Sequence, residues 1–194
     1  MVFHDQAYSV LVVSSAQKFN DILSQMLPGA NCCPVNYVSN AAAAQRELLA
    51  KTYDFIIVNA PLPDDLGVRF SIDAACRTST VVLFLIRGEL YDELNAKLTP
   101  QGVFTLSKPT AVQTLQQSLN WMAAARERLR KLENKSASIE EKMEEIRLVN
   151  RAKWILIERL SMSESEAHRH IEKQAMDRCV SRKEIAQGII KTYA

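Results

Sequence analysis

Side chains that could do chemistry fall into two sets of different character. In the first 120 residues they sit where apolar runs end: Ser14 and Ser15 after SVLVV, Asn59 after DFIIV, Ile86-Arg87 at the close of VVLFLI, and Lys108-Pro109 after VFTLS. Asp64 and Asp65 lie in the loop that follows Asn59. None of these ends offers a nucleophile beside a base or a cluster of metal ligands, so no catalytic residue, metal or cofactor is expected there. The second set is cationic. Arg147, Arg151, Lys153, Arg169, Lys173, Arg178, Arg182 and Lys183 are spread over three short helical patterns, with His168 and His170 flanking Arg169. Cations contact phosphates and imidazoles stack on unpaired bases, so this set suits RNA. Any one of these cations could equally be a solvated helix face, and His168 could equally pack beside Ala167.

The overall charge of +2 conceals this division. Residues 1–120 carry 8 Lys/Arg against 10 Asp/Glu, whereas residues 121–194 carry 16 against 12, which points to a polyanionic partner for the C-terminal part. Nearly half of the 194 residues are hydrophobic and Gly and Pro are scarce, as in a globular chain with room for one medium domain and a smaller module. Cys32, Cys33, Cys76 and Cys179 form no CxxC or Cys/His ligand spacing and read as reduced thiols. The opening MVFHDQAYSV lacks the marks of a secretory leader, and no run approaches the ~20 apolar residues of a membrane span. A soluble, cytoplasmic protein without membrane partners is expected.

The elements that must position the first set alternate strand and helix. Ser9–Val13, Asn36–Val38, Asp54–Val58, Val81–Ile86 and Val103–Leu106 read as strands, and the first, third and fourth of them are continuously apolar, as strands covered on both faces require. Helical patterns occupy Lys18–Met26, Ala41–Lys51 and Thr110–Trp121. Five strands with intervening helices predict a doubly wound parallel sheet, whose chemistry sits at the carboxyl ends of the strands.

From Trp121 to Lys153 the chain reads in sevens. Met122, Leu129, Ser136 and Met143 share one position, and Ala125, Leu132, Ile139 and Ile146 lie three residues later, with no Pro or Gly to break the helix. Arg128, Lys135 and Lys142 take the g positions; Arg126, Glu133, Glu140 and Arg147 take the e positions. In a parallel pair Arg128 meets Glu133 and Lys135 meets Glu140, while Lys142 against Arg147 is repulsive. An antiparallel pair sets cation against cation. The charges favour a parallel homodimer over a single amphipathic helix packed on its own domain.

Pro63, Gly67 and the Lys108-Pro109 step, on this strand pattern, resemble the receiver domain of bacterial response regulators across residues 8–120. The resemblance implies two metal-holding acids after the first strand, where Ser14 and Ser15 stand. It places the phosphate-accepting aspartate at Asn59 and the switch hydroxyl at or beside Ile86. An amide is a poor nucleophile and two serines are a poor magnesium site, so a receiver that takes no phosphate is expected, with Lys108 left beside Asn59 or on the surface. Asp64 and Asp65 come five and six residues too late to substitute and read as a solvated turn.

Beyond Arg147 the pattern changes. Ala152, Leu156, Ile157 and Leu160 form a new stripe. Ser163-Glu164-Ser165-Glu166 is a capping box before a helix carrying Ala167, Ile171, Ala175 and Met176, and Ser181-Arg182-Lys183-Glu184 is a second before Ile185, Ile189 and Ile190. Arg151-Ala152-Lys153, Leu156-Ile157, Glu166-Ala167, Ile171, Ala175-Met176 and Ile185-Ala186 resemble the ANTAR domain, an RNA-binding module of transcription antiterminators. With the degenerate receiver and the coiled coil, the whole resembles the aliphatic-amidase antiterminator regulators. This implies leader-RNA hairpins with hexanucleotide loops, often in tandem, as targets, and a ligand-sensing protein as a further partner. The expected chain is α/β: a receiver-like doubly wound sheet over 1–117, a coiled-coil dimerisation helix over 118–150, and a three-helix RNA-binding module over 147–194. The rivals are a DNA-binding response regulator, against which no helix-turn-helix spacing appears, and a non-catalytic coiled-coil interaction protein.

Overall fold

The computed structural model describes residues 7–27, 30–77 and 79–193; residues 1–6, part of the stretch read for a leader, lie outside them. The chain divides by its own contacts into two units, residues 1–130 and 131–194. In the first unit, β1 (Tyr8–Val13), β2 (Cys32–Val38), β3 (Phe55–Asn59), β4 (Val81–Arg87) and β5 (Phe104–Lys108) form one parallel sheet in the order β2-β1-β3-β4-β5. Helices α1 (Gln17–Met26), α2 (Ala41–Ala50), α3 (Val68–Arg77) and α4 (Tyr91–Leu98) connect them, and α5 (Val112–Leu160) leaves the last strand.

The central strands are apolar throughout because both of their faces are covered. Side chains alternate across a strand. Leu11, Val13, Ile56, Val58, Val82 and Phe84 therefore face the cluster that takes in Ala44, Phe70, Ala74, Leu94 and Leu98 of α2, α3 and α4. Val10, Val12, Phe55, Ile57, Leu83 and Leu85 face the other cluster, with Leu23 of α1 and Leu115, Leu119 and Met122 of α5. Each large aliphatic side chain buried this way contributes roughly 1.5–3 kcal/mol.

Strand β2 begins at Cys32, four residues earlier than its sequence suggests. It lies at the sheet edge, where Pro34 costs no ladder bond on the open side, so the proline that hides the strand in the sequence is compatible with it. The loop after β3 turns at Gly67, with φ of 82°. A Cβ there would meet Leu62 Cδ1 at 3.1 Å and Val58 Cγ1 at 3.2 Å, so both the backbone and the packing require glycine.

The second unit contains the C-terminal part of α5 with α6 (Glu164–Arg178) and α7 (Arg182–Tyr193). Its core is Ala152 and Leu156 of α5, Ala167, Ile171 and Ala175 of α6, and Ile185, Ala186 and Ile189 of α7. Four of these eight are alanines, which lets three short helices approach closely around a small core. The first capping box is complete: Ser163 Oγ accepts from the Glu166 N–H, and the Glu166 carboxylate accepts from the Ser163 N–H at 2.8 Å. At the second, Ser181 Oγ accepts from the Glu184 N–H at 3.2 Å. Met176 does not join the buried face; it is 77% exposed.

Candidate functional site

At the carboxyl ends of the strands, β1, β3 and β5 bring Ser14, Asn59 and Lys108 together. Ser14 and Asn59 are buried. The Asn59 amide donates to Ser14 Oγ at 3.0 Å, and Lys108 Nζ donates to Asn59 Oδ1 at 2.7 Å and to the Ala60 carbonyl. Ser14 Oγ also accepts from the Ala16 N–H at 3.2 Å. Each polar group is thus satisfied by another within the site. Lys108 is the one charge in this chain of bonds. Burial, reinforced by the nearby Arg87 guanidinium, lowers its pKa below the ordinary lysine value. Ser15 is exposed, Ile86 is buried in the sheet, and Arg87 points to solvent. The donor set is hydroxyls and an amide beside an ammonium, which does not fit a hard divalent cation that asks for carboxylates. Among the described residues no group of three or more His, Cys, Asp or Glu could hold a metal.

Asp64 is not a loose turn residue. Its two carboxylate oxygens accept from the Ala41 and Ala42 N–H groups, each at 3.0 Å, at the start of α2. Those backbone donors hold its carboxyl below the usual range. It works beside Asn40, whose side chain caps the Ala43 N–H.

The opposite, amino-terminal end of the strands fixes the first part of α5. Asp54, just before β3, accepts from the Ser9 N–H and hydroxyl at 3.0 and 2.9 Å, from Arg126 Nε at 2.8 Å and from Arg130 Nη2 at 3.3 Å. Burial pushes its pKa up, but the Ser9 N–H and the Arg126 guanidinium outweigh it and hold it below the ordinary aspartate value. Tyr8 Oη donates to Glu127 at 3.1 Å, and Arg130 lies over the Tyr8 ring.

This anchor divides the heptad seam. Met122 is fully buried in the sheet cluster, and Ala125 and Leu129 pack against the same cluster, so these three belong to the first unit's core and are not open to a partner. Arg126 faces Asp54 rather than standing at a partner's flank. The sequence shows only the seven-residue period, and a helix face that covers a sheet has the same period as one that covers a second helix. Leu132, Ile139, Met143 and Ile146 are instead 49–59% exposed, and residues 131–140 are exposed without interruption. The free seam keeps five of the eight positions that the pattern suggests, Ser136 among them.

In the second unit the cations sort into two kinds. Lys153 pairs with Glu164 at 3.1 Å, and Arg182 reaches Glu145 at 3.2 Å and Glu172 at 3.9 Å, tying α7 to its neighbours. Arg147, Arg151, Arg169, Lys173 and Arg178 are exposed and Lys183 is half-buried; among the described residues these six have no acidic partner. Arg169 and Lys173 share the outer face of α6 with Met176. His168 is exposed and lies 3.3 Å from Glu172, so it is not a core residue. The Gln174 amide donates to His170 Nε2 at 2.9 Å.

Two exposed aromatics on this unit carry no signal in the charge pattern. Trp154 is 70% exposed on α5, one turn beyond Arg151, and Tyr193 is 39% exposed at the end of α7. A helical-period count that asks which large apolar residues miss the buried stripe of Ala152 and Leu156 finds Trp154.

The comparisons agree with this division. Residues 137–190 match the ANTAR domain. The transcriptional regulatory protein PdtaR of Mycobacterium tuberculosis is 24% identical over 139 residues, 72% of this chain and 68% of that protein. The signal receiver domain of an HD domain-containing protein from Pseudomonas fluorescens superimposes with a TM-score of 0.58 at 23% identity, over 68% of this chain and 97% of that one. A two-component response regulator from Clostridium difficile gives 0.53 at 16%, over 60% and 95%. These structural likenesses establish the receiver fold of the first unit, and the sequence match assigns the second. The chain thus joins a unit of receiver fold to a unit whose residues 137–190 match the ANTAR domain.

Proposed function

We propose that this regulator acts in the cytoplasm, without catalysis, as an RNA-binding transcription antiterminator: a parallel homodimer that grips leader-RNA hairpins through its two C-terminal modules. The observation that carries the reading is that six of the eight cations read from the sequence have no acidic partner among the described residues, in the part of the chain that matches the ANTAR domain. Cations neutralised within the fold release no counterions on binding, whereas unpaired ones do. The transcriptional role of PdtaR supports the same direction. The exposed stripe from Leu132 to Ile146 supports the dimer, and the e and g charges beside it favour the parallel arrangement.

The receiver-like domain takes no phosphate in this reading, because an amide and hydroxyls stand where a nucleophilic carboxylate and a metal site are needed. Its input is then an association, and the resemblance to antiterminators held by a ligand-sensing protein makes such a protein the partner. Two assays test the proposal. Filter binding to one-loop hairpins, two-loop hairpins and duplex DNA over a salt range should show a steep salt dependence and a preference of about 10²–10⁴ for paired loops, since the second module binds intramolecularly. Preference for duplex DNA would instead make the chain a DNA-binding response regulator. Intact mass after incubation with acetyl phosphate and magnesium should show no phosphate adduct; a covalent phosphate anywhere on residues 8–120 overturns that part.

A further inference from the structure

The second unit carries a groove whose lining the cation pattern does not explain. It has a volume of about 350 Å³, at the lower end of ligand-pocket sizes. Leu156, Ile185 and Ile189 contribute apolar surface, and His170, Gln174, Arg178, Thr192 and Tyr193 contribute two aromatic rings and several hydrogen-bonding groups. Glu184 also lines it. A carboxylate here disfavours a phosphate but accepts from an exocyclic amine, so the lining suits a base better than a backbone.

Gly188 is the second observation. It lines the same groove and lies inside α7, where glycine is about 1 kcal/mol worse than alanine. A Cβ built on it meets nothing within 4 Å, and its φ is not in the left-handed region. Neither internal packing nor backbone conformation asks for glycine there. What it provides is bare helix backbone to something that approaches from outside.

We propose that this groove seats one unstacked base of the bound RNA, against the Gly188 backbone and within reach of His170, Tyr193 and Arg178. The inference rests on the RNA-binding reading and adds to it a base-recognition pocket separate from the phosphate-contacting cations. Loop bases are the ones a protein can splay out and stack on aromatic side chains. An apolar side chain from a partner protein is the competing occupant.

The test uses the full chain and synthetic hairpins whose six-nucleotide loop is randomised, enriched for binders of the wild type. Gly188→Ala and Gly188→Leu are compared with wild type for thermal unfolding without RNA and for affinity across salt. Gly188→Ala should unfold at the same temperature or higher, because it improves the helix, yet bind the selected hairpins about 5- to 100-fold more weakly with an unchanged salt slope. Gly188→Leu should lose at least as much. Replacing loop nucleotides one at a time by abasic ones should reveal a single position that matters to the wild type and not to Gly188→Leu. If wild type binds the hairpins and both variants match it, or if their loss comes with a changed slope, the base pocket is wrong and the RNA reading stands. If the groove serves a protein side chain, that same equality of RNA affinity results. If wild type binds no hairpin in the pool, the RNA reading itself fails and the pocket falls with it.

Discussion

The two units use their polar groups in opposite ways. At the carboxyl ends of the strands of the first, Ser14, Asn59 and Lys108 bond to one another, and at the amino ends Asp54 bonds to Ser9, Arg126 and Arg130. In the second, six of the eight cations read from the sequence find no acidic partner among the described residues. A side chain already satisfied inside the fold has little left to offer a ligand, whereas an exposed and unpaired one gains by meeting a polyanion. On the proposed function, the residues at the strand ends serve the fold and the second unit does the binding.

The largest effect should come from the apolar stripe between these regions. Replacing Leu132 and Ile139 together by Asp places carboxylates in a seam that a dimer would dry, at several kcal/mol each. Sedimentation should then report a monomer that still binds single hairpins but has lost its preference for paired ones. A dimer that persists unchanged would move the interface away from the stripe.

The second test strikes the internally satisfied side. Asp54→Asn removes the carboxylate that Arg126 and Arg130 share in a mostly buried position and should cost about 2–3 kcal/mol in denaturant unfolding. Because the folded pKa of Asp54 is depressed, its contribution is complete above the ordinary aspartate value of about 3.9 and is lost as pH falls below that toward the folded value. The wild type should therefore lose this increment in acid while Asp54→Asn does not, and RNA affinity at neutral pH should be unaffected.

Ser136→Leu sharpens the comparison from the other direction. The free seam spans little more than two heptads with a hydroxyl inside it, so filling that position should strengthen the dimer by roughly 1.5–3 kcal/mol. The measurement is the dimer dissociation constant by dilution; an unchanged constant would show that residue 136 does not face a partner.

The smallest effect separates paired from unpaired cations. Arg151→Ala should reduce the salt slope of RNA binding by about one. Lys153→Ala should change it less, because Glu164 already neutralises that ammonium in part. Equal changes would mean that the Lys153–Glu164 contact opens on binding.

Much of this was open to reading in the residues alone, for local physical reasons. The buried central strands announce themselves through VLVV, FIIV and VVLFLI because a strand covered on both faces must be apolar at every covered position. Ser163 and Glu166 fix the start of α6 because both ends of a capping box lie within one turn. The absence of acids at Ser14, Ser15 and Asn59 is a matter of identity, and needs no coordinates.

Tertiary structure decided what depends on partners far along the chain. A seven-residue period states that Met122, Ala125, Leu129, Leu132 and Ile139 share one face, but not what covers it. Only the fold gives the first three to the sheet and leaves the others bare. Arg126 and Arg151 are alike as letters; one is held by a carboxylate 72 residues away and the other has no acidic partner among the described residues, and that difference appears when Asp54, just before β3, and the helix carrying Arg126 meet. The same holds for Gly188, a plain helical glycine in the sequence that becomes informative once it lines a groove that none of the described residues fills. Periodicity and composition are properties of a stretch, but the availability of a side chain is a property of its surroundings, and those are assembled by contacts that the order of residues does not display.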